Sequence, residues 1–486
     1  MTPVSHGKPC AGNPHARFEE GASAPETPRR NALLHNRREF IGGSALFTAA
    51  GLARAASGAS IAEDAAKAAV AADAAAEKRR AAHMLIGSEP MLQVPAETSM
   101  GVVWAVTAMA NGWVDVSESP NMSNPRRYAC GGYGLTGFHE RVLQVRLTGL
   151  KPATRYYYRI RAERIDYRSN NNRVRGEVEE GEVRSFTTLG AAAPSHICVI
   201  NDTHMNPDAL EMVFGKLKEL KPVATLWNGD ALNACETIEP AVEAFLTPRT
   251  SASYRESVDY AAENPILFNC GNHENRGKWA RHLDEVLMRR LPTERSVRDW
   301  ELGRNFAVRI GDIALVGLDT GDDRDDGHPM SAGLSNFQPY REAQTPWLRD
   351  ALARSEIAFA PYLIASCHIP LLPRASERDN PMWWTKYGHD NWGPLLSSAR
   401  AQAVIVGHMH EYRFNPAEEG RSWAQIEGGG YELGVRWFGR RRIDNPGYFP
   451  TVMDVHAEGG KLVVEVWDVW RNRIAGRHEF APRRGA

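Results

Sequence analysis

No two cysteines in this chain are spaced Cys-x-x-Cys, so it offers no thiolate zinc motif. Cysteine is scarce altogether: six residues in 486, at Cys10, Cys130, Cys198, Cys235, Cys270 and Cys367. Cys10 falls in a segment read below as a leader; the five that remain are an odd number, which excludes a fully paired disulfide framework. Cys198, Cys270 and Cys367 sit in or at the end of apolar runs and are expected as buried thiols. An excess of one charge is also lacking. The formal net charge is −1, so bulk electrostatics gives no reason to expect a polyanion such as nucleic acid. No run is long and apolar enough to cross a bilayer. There is no Walker-type Gly-rich loop and no evident Ser-His-Asp arrangement, so neither P-loop chemistry nor a covalent serine intermediate is indicated.

What is present reads as a globular chain of two or three domains, 43% hydrophobic and 24% charged. Near the start, Asn36-Arg37-Arg38-Glu39-Phe40-Ile41 places twin arginines before apolar residues. A weakly apolar Gly/Ala stretch and Ala53-Arg54-Ala55 follow. This layout resembles a twin-arginine export signal over residues 1–55. It implies passage through the twin-arginine export machinery to the periplasm or beyond. Residues 56–84, dominated by Ala, Glu, Asp, Lys and Arg, are expected to form a helical linker.

Residues 85–189 change to short alternating segments broken by turn residues. Segments 101–106 and 141–147 have the two-residue period of strands, and 183–188 fits a closing strand. In 156–160, alternation puts Tyr156, Tyr158 and Ile160 on one face and Tyr157 and Arg159 on the other. This segment resembles the tyrosine corner of a fibronectin type III or immunoglobulin-like sandwich, where a Tyr hydroxyl ties a strand to the preceding loop.

After Gly190-Ala191-Ala192-Ala193-Pro194 the grammar changes again, over residues 194–482. Apolar runs of about five residues, the mark of strands buried on both faces, each end in a polar motif. These are Asp202-Thr203-His204, Gly229-Asp230, Gly271-Asn272-His273-Glu274, His368, and Gly407-His408-Met409-His410. Helical patterns at 209–220 and 345–355 separate the runs. In layered α/β folds ligands gather at the carboxyl ends of strands, where all five motifs fall. Singly each is weak. Together they supply only carboxylate, imidazole and amide donors, the set that hard or borderline divalent metals take. Asp230, with two oxygens, is the natural bridge between two cations. Asp202 and His204, and likewise His408 and His410, are two residues apart and can face one site.

At this point the chain resembles the calcineurin-like metallophosphoesterase family, whose motif series D-x-H, G-D, G-N-H-E/D, H and G-H-x-H is complete here. With the sandwich in front it is similar to purple acid phosphatases and their bacterial relatives. The resemblance implies a four-layer α/β catalytic domain with two β-sheets flanked by helices. It implies one metal on Asp202, His204, Asp230 and His410, and a second on Asp230, Asn272, His368 and His408. His273 would meet phosphoryl oxygens or protonate the leaving group. Phosphate monoesters would be hydrolysed by a metal-bridging hydroxide.

Two positions depart from the purple acid phosphatase pattern. His204 stands where those enzymes have Gly, and Asn233 where they have a ligand Tyr. No purple colour is therefore expected, and two ions drawn from Mn, Fe or Zn are. A phosphodiesterase of nucleotides or phospholipid headgroups is the alternative reading. A binding protein using its sandwich is the reading from another class. The aromatic stretch 371–394 is read as packing itself down rather than stacking on substrate. The acidic loop 321–328 is read as a solvated turn, Arg436 and 440–442 as a solvated face, and the closing strand at 462–467 as part of a second sheet.

Overall fold

The computed structural model describes residues 84–483 except 130, 252–255, 291–301, 375–382 and 439. The leader at 1–55 and all but the last residue of the linker at 56–84 lie outside the described residues, as does Cys130.

Two sheets form the middle of the molecule. The nine-stranded one runs Arg473–Phe480, Lys461–Asp468, Thr451–Glu458, His196–Ile200, Ala224–Asn228, Ile266–Asn269, Met91–Gln93, Ser99–Ala105, Val142–Thr148. The six-stranded one runs Phe306–Ile310, Ile313–Gly317, Tyr362–Ser366, Ala403–Val406, Ala424–Glu427, Arg413–Asn415. The strands that end in motifs are parallel to their neighbours: Val199 pairs with Leu226, Leu226 with Leu267, and Ala365 with Val404. Their continuous apolar runs follow from burial on both faces. Ile197, Val199, Leu226 and Leu267 meet Ile313, Ile364, Ile405 and Ile426 between the sheets. Each such side chain contributes roughly 1.5–3 kcal/mol by leaving water.

Helices cover both outer faces. Pro207–Leu220 buries Leu210, Val213, Phe214 and Leu217 against Cys198, Ile200 and Trp227. Phe337–Ala353 and Gly393–Ser398 bury Leu348 and Leu396 against Val316, Leu363 and Val404. Helix, sheet, sheet and helix make the expected four layers. The first helix starts where Asn206 caps it, its side chain accepting from Ala209 N at 3.0 Å, with Pro207 at its first position. The second begins at Phe337 rather than near Thr345. The Asp326 carboxylate takes the orphan Phe337 and Gln338 N–H groups at 2.6 and 2.9 Å, and the helix then runs through Pro346.

The N-terminal strands make a sandwich. Ser99–Ala105 and Val142–Thr148 face a second six-stranded sheet built on Ala110–Ser117, Arg155–Ser169 and Asn172–Glu180. Trp104, Val145, Leu147, Tyr158 and Ile160 fill the space between. Tyr156 Oη accepts from Lys151 N at 2.9 Å, the corner contact expected from sequence.

Two expectations change. Strand Lys461–Asp468 does not build a second sheet. It pairs with Thr451–Glu458, which pairs antiparallel with His196–Ile200, so the C-terminal hairpin widens the first sheet. The sandwich also shares that sheet, because Gln93 pairs in parallel with Ile266. Cys198, Cys235, Cys270 and Cys367 are buried free thiols.

Candidate metal centre

Five motif loops converge where the strands of both sheets end. Asp202, Asp230 and Asn272 leave strands of the nine-stranded sheet, and His368 and His408 leave strands of the six-stranded one. The backbone is bent hard to aim them. Asp202, His204, Asp230, His408 and His410 all have positive φ, between 47° and 69°. For residues with a Cβ this costs about 1–3 kcal/mol each and persists only where the surroundings enforce it. Here backbone bonds do so: Asp202 N to Gly229 O at 3.1 Å, His204 N to Asp230 O at 2.9 Å and Met205 N to Ala231 O at 2.8 Å. Close approach finishes the task, since a Cβ on Gly271 would lie 2.2 Å from Asp230 Oδ1.

Two donor groups result, and they share one residue. Ligand atoms of Asp202, His204, Asp230 and His410 lie within 4.8 Å of one another, as do those of Asp230, His368 and His408. His368 Nε2 is 3.1 Å and His204 Nε2 3.6 Å from Asp230 Oδ2, while His410 Nε2 is 3.3 Å from Asp202 Oδ1. The inner end of the Asn272 amide lies 3.2 Å from His368 Nε2, 3.3 Å from Asp230 Oδ2 and 3.0 Å from His408 Nδ1. His273 falls outside both groups, its Nε2 4.0 Å from Asp230 Oδ2.

Protein acceptors orient three of the imidazoles. His204 Nδ1 meets Asn233 Oδ1 at 2.9 Å, His368 Nδ1 meets Asn228 O at 2.8 Å, and His410 Nδ1 meets the Glu432 carboxylate at 2.6–2.7 Å. With those protons on Nδ1, each Nε2 presents a lone pair inward, the arrangement of metal-ligating histidines. His204 Nε2 and His410 Nε2 are then 3.1 Å apart. In the metal-free protein a proton on one of them lets it donate to the other, and a cation in that place would take both lone pairs. Ligand atoms about 2.1 Å from a tetrahedral ion are roughly 3.4 Å apart, so the donors fit divalent metals in spacing as well as chemistry.

The electrostatics agree. Burial alone would raise the Asp230 and Asp202 carboxyls, but the surrounding histidines hold both below the usual range. Burial pushes His204 and His408 down to about 4. His368 and His410 are also pushed down by burial, yet the carboxylates beside them prevail and lift them to about 10 and about 9. Without metal the centre must hold protons to neutralise Asp202 and Asp230; a metal takes over that role and releases them.

Several residues at the centre carried no such reading in the sequence. Glu274 is fully buried, and its carboxylate accepts from Gly271 N, Asp230 N, Ala231 N and Leu232 N at 2.7–3.3 Å. Its place inside the Gly-Asn-His-Glu motif was the available signal. Burial and the nearby Asp230 charge push it up to about 7. Arg276 donates to His273 Nε2 at 2.7 Å and to Asp323 Oδ1 at 3.0 Å. The Tyr431 ring stands 5.3 Å from the His204 ring and 5.5 Å from that of His410.

The acidic loop is therefore no solvated turn. Asp322 is buried, Asp323 holds Arg276 beside the centre, and Asp326 caps a helix. Burial and the Asp323 charge push Asp322 up, while Asp322 and Arg276 hold Asp323 down. Arg436 also leaves the solvated face expected for it, donating to Met409 O at 3.2 Å, whereas 440–442 are exposed. In the aromatic stretch, Trp392 is buried and its ring meets Tyr387 edge-on at 5.9 Å, a packing role. The side chains of Trp383 and Trp384 lie outside the described residues.

Comparison with known proteins agrees with this geometry. A family profile described as calcineurin-like phosphoesterase matches residues 195–412, and one described as purple acid phosphatase, N-terminal domain, matches 88–188. No curated protein matches the chain closely enough to count as a relative. Among solved structures, purple acid phosphatase PPD1 from yellow lupin (Lupinus luteus) seeds shares 13% identity at a TM-score of 0.57, covering 82% of this chain and 75% of its own. GAP50, the anchor in the inner membrane complex of Plasmodium, shares 12% identity at a TM-score of 0.41, covering 60% of this chain and 89% of its own. Two donor groups joined by one carboxylate lie in the segment that matches the calcineurin-like phosphoesterase profile, behind one that matches the purple acid phosphatase N-terminal domain, and together they support a metal-dependent phosphoester hydrolase.

Proposed function

We propose that this chain is an exported phosphomonoesterase using two divalent ions, drawn from Mn, Fe and Zn. Asp202, His204, Asp230 and His410 would hold one ion, and Asp230, Asn272, His368 and His408 the other. The observation that carries this reading is the membership of Asp230 in both donor groups. When bound, such ions supply Lewis acidity and lower the pKa of a coordinated water to about 7. The side chains supply the rest. His273 Nδ1 is committed to Asn233 O at 2.7 Å, which leaves Nε2 facing the centre. Nε2 accepts an Arg276 N–H there. An arriving phosphoryl oxygen replaces it as the acceptor, so Arg276 meets the developing charge and His273 is freed toward the leaving group. Asp323 holds the guanidinium in place from behind. Tyr431 walls the side of the first donor group.

Parallel assays of p-nitrophenyl phosphate and its bis ester, after metal stripping and reloading with Mn, Fe or Zn, test the reading. Preferred turnover of the monoester is expected. Preferred turnover of the bis ester would establish a diesterase, and no hydrolysis with any ion a binding protein. For export, the double change Arg37→Lys and Arg38→Lys should leave the protein in the cytoplasm.

A further inference from the structure

A second constellation of donors lies away from the centre, on the helix-covered face of the nine-stranded sheet. His196 sits directly across from His456, and Cys198 directly across from Asp454, on paired antiparallel strands. Alternation along each strand puts all four side chains on one face. Asp454 Oδ1 is 2.8 Å from His196 Nε2 and 3.3 Å from His456 Nδ1. Donor atoms of His196, Cys198 and Asp454 lie within 4.8 Å of one another. Asp454 and Cys198 are buried, while each imidazole is 24% exposed, which leaves a way in from solvent.

The carboxylate makes the arrangement more than a row of neighbours. Among the described residues Asp454 has no lysine or arginine partner, and two histidines are its only ion pairs. A buried carboxylate needs compensation. Here the groups closest to it are two imidazoles and a thiol, each a metal donor in its deprotonated form. The mutually close donors, one nitrogen, one oxygen and one sulfur, supply three ligands of the kind zinc accepts in tetrahedral geometry, at about 2.0–2.3 Å from each, and His456 stands beside Asp454 to supply the fourth.

We propose that His196, Cys198, Asp454 and His456 form a separate structural zinc site. It would pin the C-terminal hairpin to the strand that delivers Asp202. It takes no part in hydrolysis. Zinc binding to chelator-stripped, full-length protein tests this, with bound metal counted against the His196→Gln, His456→Gln double variant. Both histidines are partly exposed, so the variant is expected to fold. The wild type should bind one equivalent more than the variant, with hydrolytic activity alike in the two. Cobalt(II) should give a thiolate charge-transfer band that Cys198→Ser removes. Equal stoichiometry in wild type and double variant overturns the proposal, and so does a cobalt–thiolate band that survives Cys198→Ser.

Discussion

Glu274 shows how much a single carboxylate can organise. Four backbone N–H groups converge on it, including that of Asp230. Glu274→Gln turns an NH2 toward some of these donors and leaves them unsatisfied, at about 1–3 kcal/mol each. A lower Tm and loss of metal are expected, by calorimetry and elemental analysis; unchanged metal content would show that the loop holds its shape without this carboxylate. His273 offers the opposite signature. His273→Ala should keep its metals and lose most turnover, and loss of metal instead would make it a ligand. Glu432→Gln loosens the grip on His410 and should weaken metal binding by about 10–100-fold, measured by competition with a chelator. The residues that the two donor groups bring together were legible because each lies in a short contiguous motif. Glu432, Arg276 and Asp323 were not. Their partners lie 22, 3 and 47 residues away, and for the longer separations only the fold announces the contact. The two departures from the purple acid phosphatase pattern prove to be one feature, since the Asn233 amide oxygen holds the His204 ring.

Among elements, the motif-bearing strands were the most legible, because burial on both faces leaves an unbroken apolar run. Arg155–Ser169 and Asn172–Glu180 were read only in part. Their distal halves are solvated on both faces and carry charge rather than alternation. The helix at Phe337 was read eight residues late, because its start is capped by Asp326 from a separate loop. The turn after Ile266–Asn269 is equally constrained. Gly271→Ala would drive a methyl into Asp230 Oδ1, so metal content should fall even if the fold survives; full occupancy would mean the loop can yield. In the sandwich, Asp115 receives Arg127 and Arg161. Burial alone would raise its pKa, but the two guanidinium groups outweigh burial and hold it below 3.8. A carboxylate depressed in the folded state stabilises above its unfolded pKa and loses that contribution as pH falls through the folded one. The Tm advantage of wild type over Asp115→Asn should therefore be present at about pH 6 and shrink toward about pH 3. An advantage independent of pH would assign the effect to packing.

At the scale of the molecule, the border near residue 190 is a change of sequence grammar but not a break in structure. Met91, Val103, Ala105 and Val142 belong to the same buried cluster as Phe214, Trp227 and Phe245, and Tyr158 Oη donates to Ala262 O at 2.6 Å. A chain lacking residues 85–189 would bare the edge of Ile266–Asn269 and lose part of that core. It should aggregate; a folded monomer by size-exclusion chromatography and circular dichroism would show two independent domains. Local pattern cannot report such a junction, because the pairing of Gln93 with Ile266 spans distant parts of the chain. The same construction gives Asp230 a mechanical meaning. One donor group joins His410, from the six-stranded side, to three residues of the other sheet. The second joins His368 and His408 to Asp230. Every ion held there is a rivet through two plates that also meet across apolar side chains and through hydrogen bonds such as Asn269 Nδ2 to Ser366 Oγ at 2.9 Å. Chelation should thus loosen the loops at the ends of both plates together in hydrogen exchange, and the joint that performs the chemistry is also the one that keeps the jaws aligned.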